Sequence, residues 1–543
     1  IGIIQPILLF LAISASRTSI KFIFLSNVKK SKNKINVLIY GAGSAGRQLL
    51  TSLESNLEMN VVGFLDDDPQ FHRQQILGQT IYDPLNMYKL IKKKNIELVL
   101  LAFPSNNRQK RNQIINNLNK HKVIVKTLPS VQDIVEGRVS ISDIRDLRID
   151  DLLSREQVIP NSELLSKNIN SKVVMVTGAG GSIGSELSRQ IIKLKPKTLI
   201  LIELSEFALY KISEDLKNIN KSLKIIPLLI NIQNQSKIEQ VFKTFNIDTV
   251  YHAAAYKHVS LVEENISESV KNNVFGTFNL AEAALKYNVL NFVLISSDKA
   301  VRSTNIMGAT KRLSEICVQS LYDNQNQQSK FAIVRFGNVL ESSGSVIPKF
   351  KQQIKQGGPV TLTHPDVTRY FMTIIEASQL VIQAGAMAEK CEVFVLDMGE
   401  SIKIKNLIVK MIKLSGLSVK DDKNLDGDIE IKITGLRPGE KLYEELLIGE
   451  NPKKTYHEKI QKAKDSFIPF NKLKIDLDYL SNLIEDNKVD KVKHMLSSLV
   501  PSYKSNSIIV DHFYEQKSNS KPELKPSKII NSDQYKVIRI KTK

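Results

Sequence analysis

Apolar runs of four to eight residues recur along this chain, each followed by a longer stretch of mixed polar and apolar positions. INVLIY, MNVVGFL, IELVLLAF and KVIVKTL form one series within residues 34–130. Runs that short, closed by turn residues, predict buried strands, and the mixed stretches between them predict helices. A second series begins at KVVMVT and continues through TLILIE, KIIPLLINI, DTVYHAAA, NFVLISS and FAIVRFGNV. After Asn338 the pattern gives way to loops, SSGSVIP, LTHPDVTRYF and ITGLRPGEKLYEELL, with one more strand in EVFVLDMG. The 543 residues are too many for one hydrophobic core. Five segments are expected: 1–33, 34–130, a connector over 131–170 where no period is sustained, 171–450, and a helical extension over 451–543 that ends in a polar, mobile tail.

The turns after the first strand of each series decide the fold class. Gly41, Gly43 and Gly46 stand in G-x-G-x-x-G spacing, and the next strand ends at Asp66, 20 residues past Gly46, where a ribose-binding carboxylate would stand. Nothing after these strands resembles a catalytic set, so a working nucleotide site and a structural or regulatory domain both remain open. The second turn is the stronger signal. Gly178, Gly181 and Gly184 allow a tight turn and close approach of a pyrophosphate, and a helix starting near Ser182 and Ile183 aims its first amides at the phosphates. TLILIE ends in Glu203, 19 residues past Gly184, with no Arg or Lys adjacent. That carboxylate accepts from ribose hydroxyls and repels a 2'-phosphate, which favours NAD over NADP. Ala253, Ala254 and Ala255 at a strand end let a cofactor lie against the backbone. The expected fold is α/β, with two tandem Rossmann-like domains, the second carrying a smaller C-terminal substrate-binding region.

The formal charge of +20 suggests an anionic partner, but the lysines are spread along the chain amid Asn and Ile, and no basic cluster interleaves with aromatics. Nucleic acid is therefore not expected as a partner. Cys317 and Cys391 lie far apart and without metal-ligand spacing, which argues against a disulfide framework or a metal site and for a reducing, cytoplasmic setting. The opening IGIIQPILLFLAISAS is apolar for 16 residues, short of the roughly 20 that span a bilayer. It reads as the tail of a spanning helix, with Arg17, Lys21, Lys29, Lys30 and Lys32 on the cytoplasmic side.

SSDKAVRSTNIMGATKR, residues 296–312, has the layout of a short-chain dehydrogenase active site, except that Met307 stands four residues before Lys311 where such enzymes usually carry Tyr. Together with VTGAGGSIGSEL, HAAAYKHV, RFGNVLESSGSVIP, HPDVTRYFM and GLRPGEKLYEELL, it resembles the long, membrane-associated nucleotide-sugar 4,6-dehydratases of bacterial polysaccharide biosynthesis. These belong to the extended short-chain dehydrogenase/reductase superfamily, and their long members also carry Met at that position. The resemblance implies an NAD-dependent dehydration of a UDP-sugar, with UDP-N-acetylglucosamine as substrate, at the cytoplasmic membrane and in a homo-oligomer. It implies a catalytic set of Ser297, Asp298, Lys299, Met307 and Lys311. Lys299 would be the base at C5, with its proton affinity lowered by Lys311 and burial, and Asp298 would be the proton donor to the C6 hydroxyl. It adds Asn231, Ile232 and Lys311 to the cofactor residues. Lys257, Asn338, Lys349, Arg369, Arg437 and Glu440 are expected to meet the UDP group, with Arg437 foremost. Glu341 stands where the family pattern usually has Gly, and Ser303 where it often has Pro, which puts the geometry of both loops in question. A 4-epimerase, a C5-inverting dehydratase and a non-catalytic sensor of NAD or nucleotide sugar are the competing readings.

Overall fold

Ile35–Tyr40 lies at the centre of the first sheet, its last four residues buried on both faces. It pairs in parallel with Met59–Leu65 on one side and Leu98–Leu101 on the other. Gln79–Tyr82 and Ile124–Thr127 extend the parallel set outward, and the antiparallel strands Gln75–Ile76 and Arg145–Asp146 close its edges. The computed structural model describes residues 9–10, 12–17, 34–54, 58–102, 113–115, 117–118, 123–127, 145–146, 159–324, 328–422, 424–445, 452–504, 508–512 and 514. Of the membrane segment expected over 1–33 only residues 9–10 and 12–17 are described, and most of the mobile tail expected beyond Pro501 lies outside the described residues. Among the described residues no helix is long and apolar enough to cross a membrane.

The connector expected over 131–170 is more structured than its lack of period suggested. Arg145–Asp146 joins the first sheet, and Ser162–Lys167 is a helix capped by the Asn161 side chain. That helix docks on Ile374–Met387, where Lys167 and Asn168 donate to the carbonyls of Ala386 and Gly385. A two-residue strand and a six-residue helix are too short to show periodicity, so only pairing and docking define them.

The second sheet holds nine strands. Lys224–Leu229, Thr198–Glu203, Val173–Thr177, Thr249–His252, Asn291–Ile295, Lys330–Arg335 and Cys391–Leu396 run in parallel in that spatial order. Ile460–Ala463 and Lys453–Lys454 then add antiparallel, so chain beyond residue 450 completes this sheet. The order reverses between Val173–Thr177 and Thr249–His252, which opens a crevice at their carboxyl ends. The helices Phe470–Glu485 and Val489–Leu499 pack through Leu473, Leu477, Leu480, Val492 and Leu496 beneath Ile306–Asp323. Leu38, Val99 and Val125 of the first sheet share an apolar cluster with Leu407, Ile408 and Met411 on the helix Ile404–Leu414, which joins the two units.

Candidate active site

At the end of Val173–Thr177 the chain turns through Gly178, whose φ of 63° a side chain rarely adopts. A Cβ there would stand 2.7 Å from the backbone nitrogen of Ala254, and one on Gly184 would stand 2.1 Å from the Gly178 carbonyl. Backbone fills both places, so only glycine fits. Gly181 is the N-cap of Ser182–Lys193, and Ser182, Ile183 and Gly184 form its first turn with amides free to meet an anion. Glu203 is held by three backbone amides. Its Oε2 accepts from Gly180 at 2.9 Å, and its Oε1 accepts from Leu204 at 2.9 Å and Ser205 at 3.1 Å. Oε2, with a single donor, keeps a lone pair for a further one. Ala253, Ala254 and Ala255 follow Thr249–His252 across the crevice. Asn231 accepts from the Gln233 amide at 2.9 Å, and Ile232 is buried against Gly276. This cradle can hold the pyrophosphate and ribose of a dinucleotide.

The strand Asn291–Ile295 ends at Ser296, and Ser297 caps the single turn Asp298–Ala300. Asp298 is fully buried. Its Oδ1 accepts from the Ser297 hydroxyl at 2.8 Å and from Lys299 Nζ at 3.0 Å, whereas its Oδ2 is buried with no hydrogen-bond partner among the described residues. Lys299 Nζ also donates to Asn338 Oδ1 at 3.2 Å and lies 3.6 Å from Glu444 Oε1. Burial pulls the Lys299 ammonium down, but the carboxylates of Asp298 and Glu444 outweigh it, and its pKa is raised above the ordinary lysine value. The expectation that Lys299 is lowered is thus corrected: its partners are anions, and Lys311 is directed elsewhere.

Lys311 is the lysine whose proton is loosened. Its Nζ is buried and donates to the Ile295 carbonyl at 2.6 Å, and burial lowers it to about 8 although Glu315 opposes the shift. His252, 2.7 Å from Thr177 Oγ1 and 2.8 Å from Thr277 Oγ1, is pushed down to about 3 by burial and by Lys311. Thr277 spends its own proton on the Asn273 carbonyl, so His252 is neutral, donating from Nε2 and accepting at Nδ1. Met307 is buried one turn before Lys311, within the apolar cluster of the C-terminal helices.

A buried ionic network lies under this strand end. Glu315 accepts from Ser296 Oγ at 2.5 Å, Arg335 Nε at 2.8 Å and Arg312 Nη1 at 2.9 Å, and Arg335 also pairs with Asp465. Burial alone would raise Glu315; the two arginines win and hold it at about 2. Sequence reasoning missed Glu315, Arg335 and Glu444. No spacing marks the first two, and Glu444 was legible only as a member of GLRPGEKLYEELL.

Of the residues expected to meet UDP, Asn338, Arg369 and Glu440 converge on this site. Arg369 donates to the carbonyls of Thr368 and Leu442 at 2.7 and 3.3 Å, pairs with Glu440 at 3.3 Å and lies 3.6 Å from Glu444. The Arg437 amide donates to Glu440 at 3.1 Å, but its side chain is exposed. Lys257 sits at the rim, lowered by desolvation and then by the charge of Lys299. Lys349 is exposed on the helix Val346–Lys355, and among the described residues it forms no ion pair with the cluster. Both doubtful loops are resolved. Glu341 adopts φ of 55°, the conformation glycine favours, and turns its carboxylate out to Lys351 at 2.6 Å. Ser303 ties its loop by donating to the Lys299 carbonyl at 2.9 Å. Beyond Glu341, the Ser343 amide donates to Ser182 Oγ at 2.9 Å, which lays this loop over the start of the glycine-turn helix.

A parallel sheet of this order, a glycine turn facing a carboxylate at the next strand end, and an Asp-Lys pair before a buried helical lysine define an extended short-chain dehydrogenase/reductase type of enzyme. Residues 174–465, more than half of the chain, match the family described as polysaccharide biosynthesis protein, and the chain belongs to that family. Residues 6–129 match a family described as CoA-binding domain. The chain is 40% identical over 477 residues to the capsular polysaccharide biosynthesis protein CapD of Staphylococcus aureus, covering 86% of this chain and 77% of that protein. It is 42% identical over 445 residues to the probable polysaccharide biosynthesis protein EpsC of Bacillus subtilis, covering 81% and 73%. A UDP-glucose 4-epimerase of Rickettsia massiliae is 30% identical over 284 residues, covering 51% of this chain and 78% of the epimerase.

Proposed function

We infer that the chain catalyses the NAD-dependent 4,6-dehydration of a UDP-N-acetylhexosamine, UDP-N-acetylglucosamine being the substrate that its family resemblance implies. The observation that carries this reading is the Asp298–Lys299 pair, which leaves Asp298 Oδ2 buried without a donor among the described residues. Such an unmatched group costs about 1–3 kcal/mol. A site that retains one is suited to a donor arriving with the substrate, and a hexose hydroxyl is such a donor.

Met307 has a thioether and no proton to move, so Asp298 takes the proton of the 4-hydroxyl. NAD, when bound, supplies the oxidising equivalent at C4 and the reducing equivalent at C6. With C4 a carbonyl the C5 hydrogen becomes acidic, and Lys299 is the base within reach of the same pair. In the resting site Lys299 holds its proton chiefly against Asp298. Once Asp298 is neutralised by the 4-hydroxyl proton, that hold weakens. The Lys299 side chain is 19% exposed, which gives water a path to carry its proton away. Lys299 then removes the C5 proton and Asp298 passes its proton to the C6 oxygen, so the C6–O bond breaks and water leaves. Lys299 finally returns a proton to C5 and regains its resting proton from water along the same path. Ser297 orients Asp298 throughout. Lys311 serves the strand end and the cofactor together. Glu203 and the glycine cradle bind NAD, and Asn338, Arg369 and Glu440, with Lys257 at the rim, face the UDP-sugar, which Lys349 and Arg437 meet from exposed positions.

The proposal also includes attachment to the cytoplasmic membrane through the segment over 1–33, catalytic domains facing the cytoplasm, and assembly of identical copies. The basic run from Arg17 to Lys32 supports the orientation. The rival reading is a 4-epimerase, favoured by the Rickettsia relative and opposed by Met307, since a simple epimerase is expected to keep the tyrosine. Incubation of purified protein with NAD and UDP-N-acetylglucosamine, followed by mass spectrometry, decides between them. Dehydration yields a product lighter by one water. An epimer of unchanged mass, or no product, overturns the reading.

A further inference from the structure

Glu444 lies buried in the segment that follows the Arg437 loop, only 8% exposed. Its Oε1 is shared between two cations, 3.6 Å from Lys299 Nζ and 3.6 Å from Arg369 Nε, while its Oε2 is buried with no hydrogen-bond partner among the described residues. A buried ion pair that served stability alone would be expected to satisfy its remaining lone pairs, because desolvation otherwise cancels the attraction. Lys299 has three N–H donors; Asp298 and Asn338 accept from it, and Glu444 stands 3.6 Å away as its second anionic partner.

We propose that Glu444 is a positioning residue of the reaction, a second anion whose charge sets where Lys299 points and how tightly it holds its proton. The proposal rests on the reading of Lys299 as the group that moves the C5 proton. The charged groups facing Lys299 are Asp298 from its own turn, Glu444, Arg369 from the strand Thr368–Arg369, and Lys257 from the loop after Thr249–His252. Those facing Glu444 are Lys299 and Arg369, and Arg369 is also paired with Glu440. Two anions and two cations therefore balance around one ammonium. Removing the Glu444 charge leaves Asp298 as the sole anion against Arg369 and Lys257. The direction of the effect follows: Lys299 loses its proton at lower pH without Glu444, and at higher pH without Arg369.

Trace acetylation of the full chain across the alkaline range, read at the Lys299 peptide by mass spectrometry, gives the titration midpoint of that amine without reference to turnover. Glu444→Gln should lower the midpoint by about one pH unit or more, the low end of what a neighbouring opposite charge contributes. Arg369→Gln should raise it. Glu444→Asp, which draws the carboxylate back by one methylene, should lower it by less and serves if the glutamine variant does not fold. A midpoint unchanged in the Glu444 variants, or moved in the same direction by the Glu444→Gln and Arg369→Gln changes, overturns the proposal. If the midpoints move as stated and no dehydrated product forms from the native protein, the positioning role stands and the reading of the reaction falls.

Discussion

Lys311 donates to the carbonyl of Ile295 at 2.6 Å, on the last residue of the strand that ends in the Asp298 turn. One hydrogen bond to a neutral carbonyl compensates poorly for burying an ammonium, which is why its pKa falls to about 8. Below pH 8 the lysine is charged in both folded and unfolded chains, and the folded state bears the full cost. Between about 8 and the unfolded value of 10.5 the folded chain has shed a proton that the unfolded chain keeps, so stability attributable to Lys311 rises with pH. Lys311→Met should therefore be more stable than the native chain at pH 7, by up to about 3 kcal/mol. The difference should shrink as pH passes through that window, in denaturant unfolding at a series of pH values. Turnover should also fall, by about tenfold or more, because the cofactor loses a charged hydrogen-bonding partner worth about 1.5–3 kcal/mol.

Asp298→Asn keeps the shape of the turn but cannot take the 4-hydroxyl proton. Turnover should fall by a factor of about 100 to 10,000. In heavy water the native protein should place one deuterium at C5 of the product and none at C4. Substrate recovered from the asparagine variant should carry none at all, because C5 does not become acidic before C4 is oxidised. Product formed in heavy water without deuterium at C5 contradicts the scheme.

Met307 packs in an apolar cluster and moves no proton. Met307→Leu conserves volume and should cost less than about 1.5 kcal/mol, with turnover near native. Met307→Ala should cost about 2–5 kcal/mol through the cavity it leaves. Chemical unfolding measures both stability changes and product mass spectrometry the turnover. A loss of several orders of magnitude in the leucine variant would give the thioether a chemical role.

Glu203→Ala removes a carboxylate held by Gly180, Leu204 and Ser205. NAD affinity should drop by about tenfold or more, the worth of one or two hydrogen bonds, and the preference over NADP should narrow. Titration calorimetry with both dinucleotides reads the two effects. Tighter binding of NADP by the native chain would remove Glu203 from the cofactor site.

Glu341 holds φ of 55° with its carboxylate on Lys351. A left-handed conformation costs a residue with a Cβ about 1–2 kcal/mol, and an exposed ion pair returns about 0–1 kcal/mol. Glu341→Gly should therefore be at least as stable as the native chain, and Glu341→Val less stable than the glycine variant by about 1–2 kcal/mol. Thermal melting of the three proteins side by side tests the order.

Periodicity and turn chemistry determined a great deal without coordinates. The strands from Val173 to Val395 lie where the apolar runs stand, because a parallel strand covered on both faces has nothing else to be made of. The glycines at 178 and 184 and the carboxylate at 203 met around one turn, since backbone contact and positive φ leave a mark on residue type. The departure at Glu341 was visible only against the family pattern, and the structure finds there a side chain in the conformation glycine favours. What only the tertiary structure decided is which charges face one another. The chain order places Asp298, Lys299 and Lys311 within one segment, yet Lys299 is raised and Lys311 lowered, because at Lys299 the carboxylates of Asp298 and of Glu444, more than a hundred residues later, outweigh burial, whereas at Lys311 burial against a bare carbonyl wins. Proton affinity follows distance and desolvation, and both are settled when separate segments pack. For the same reason Glu315, Arg335 and Asp465 form one buried network from three distant stretches, and Lys453–Lys454 and Ile460–Ala463 join a sheet whose apolar runs finish at Leu396.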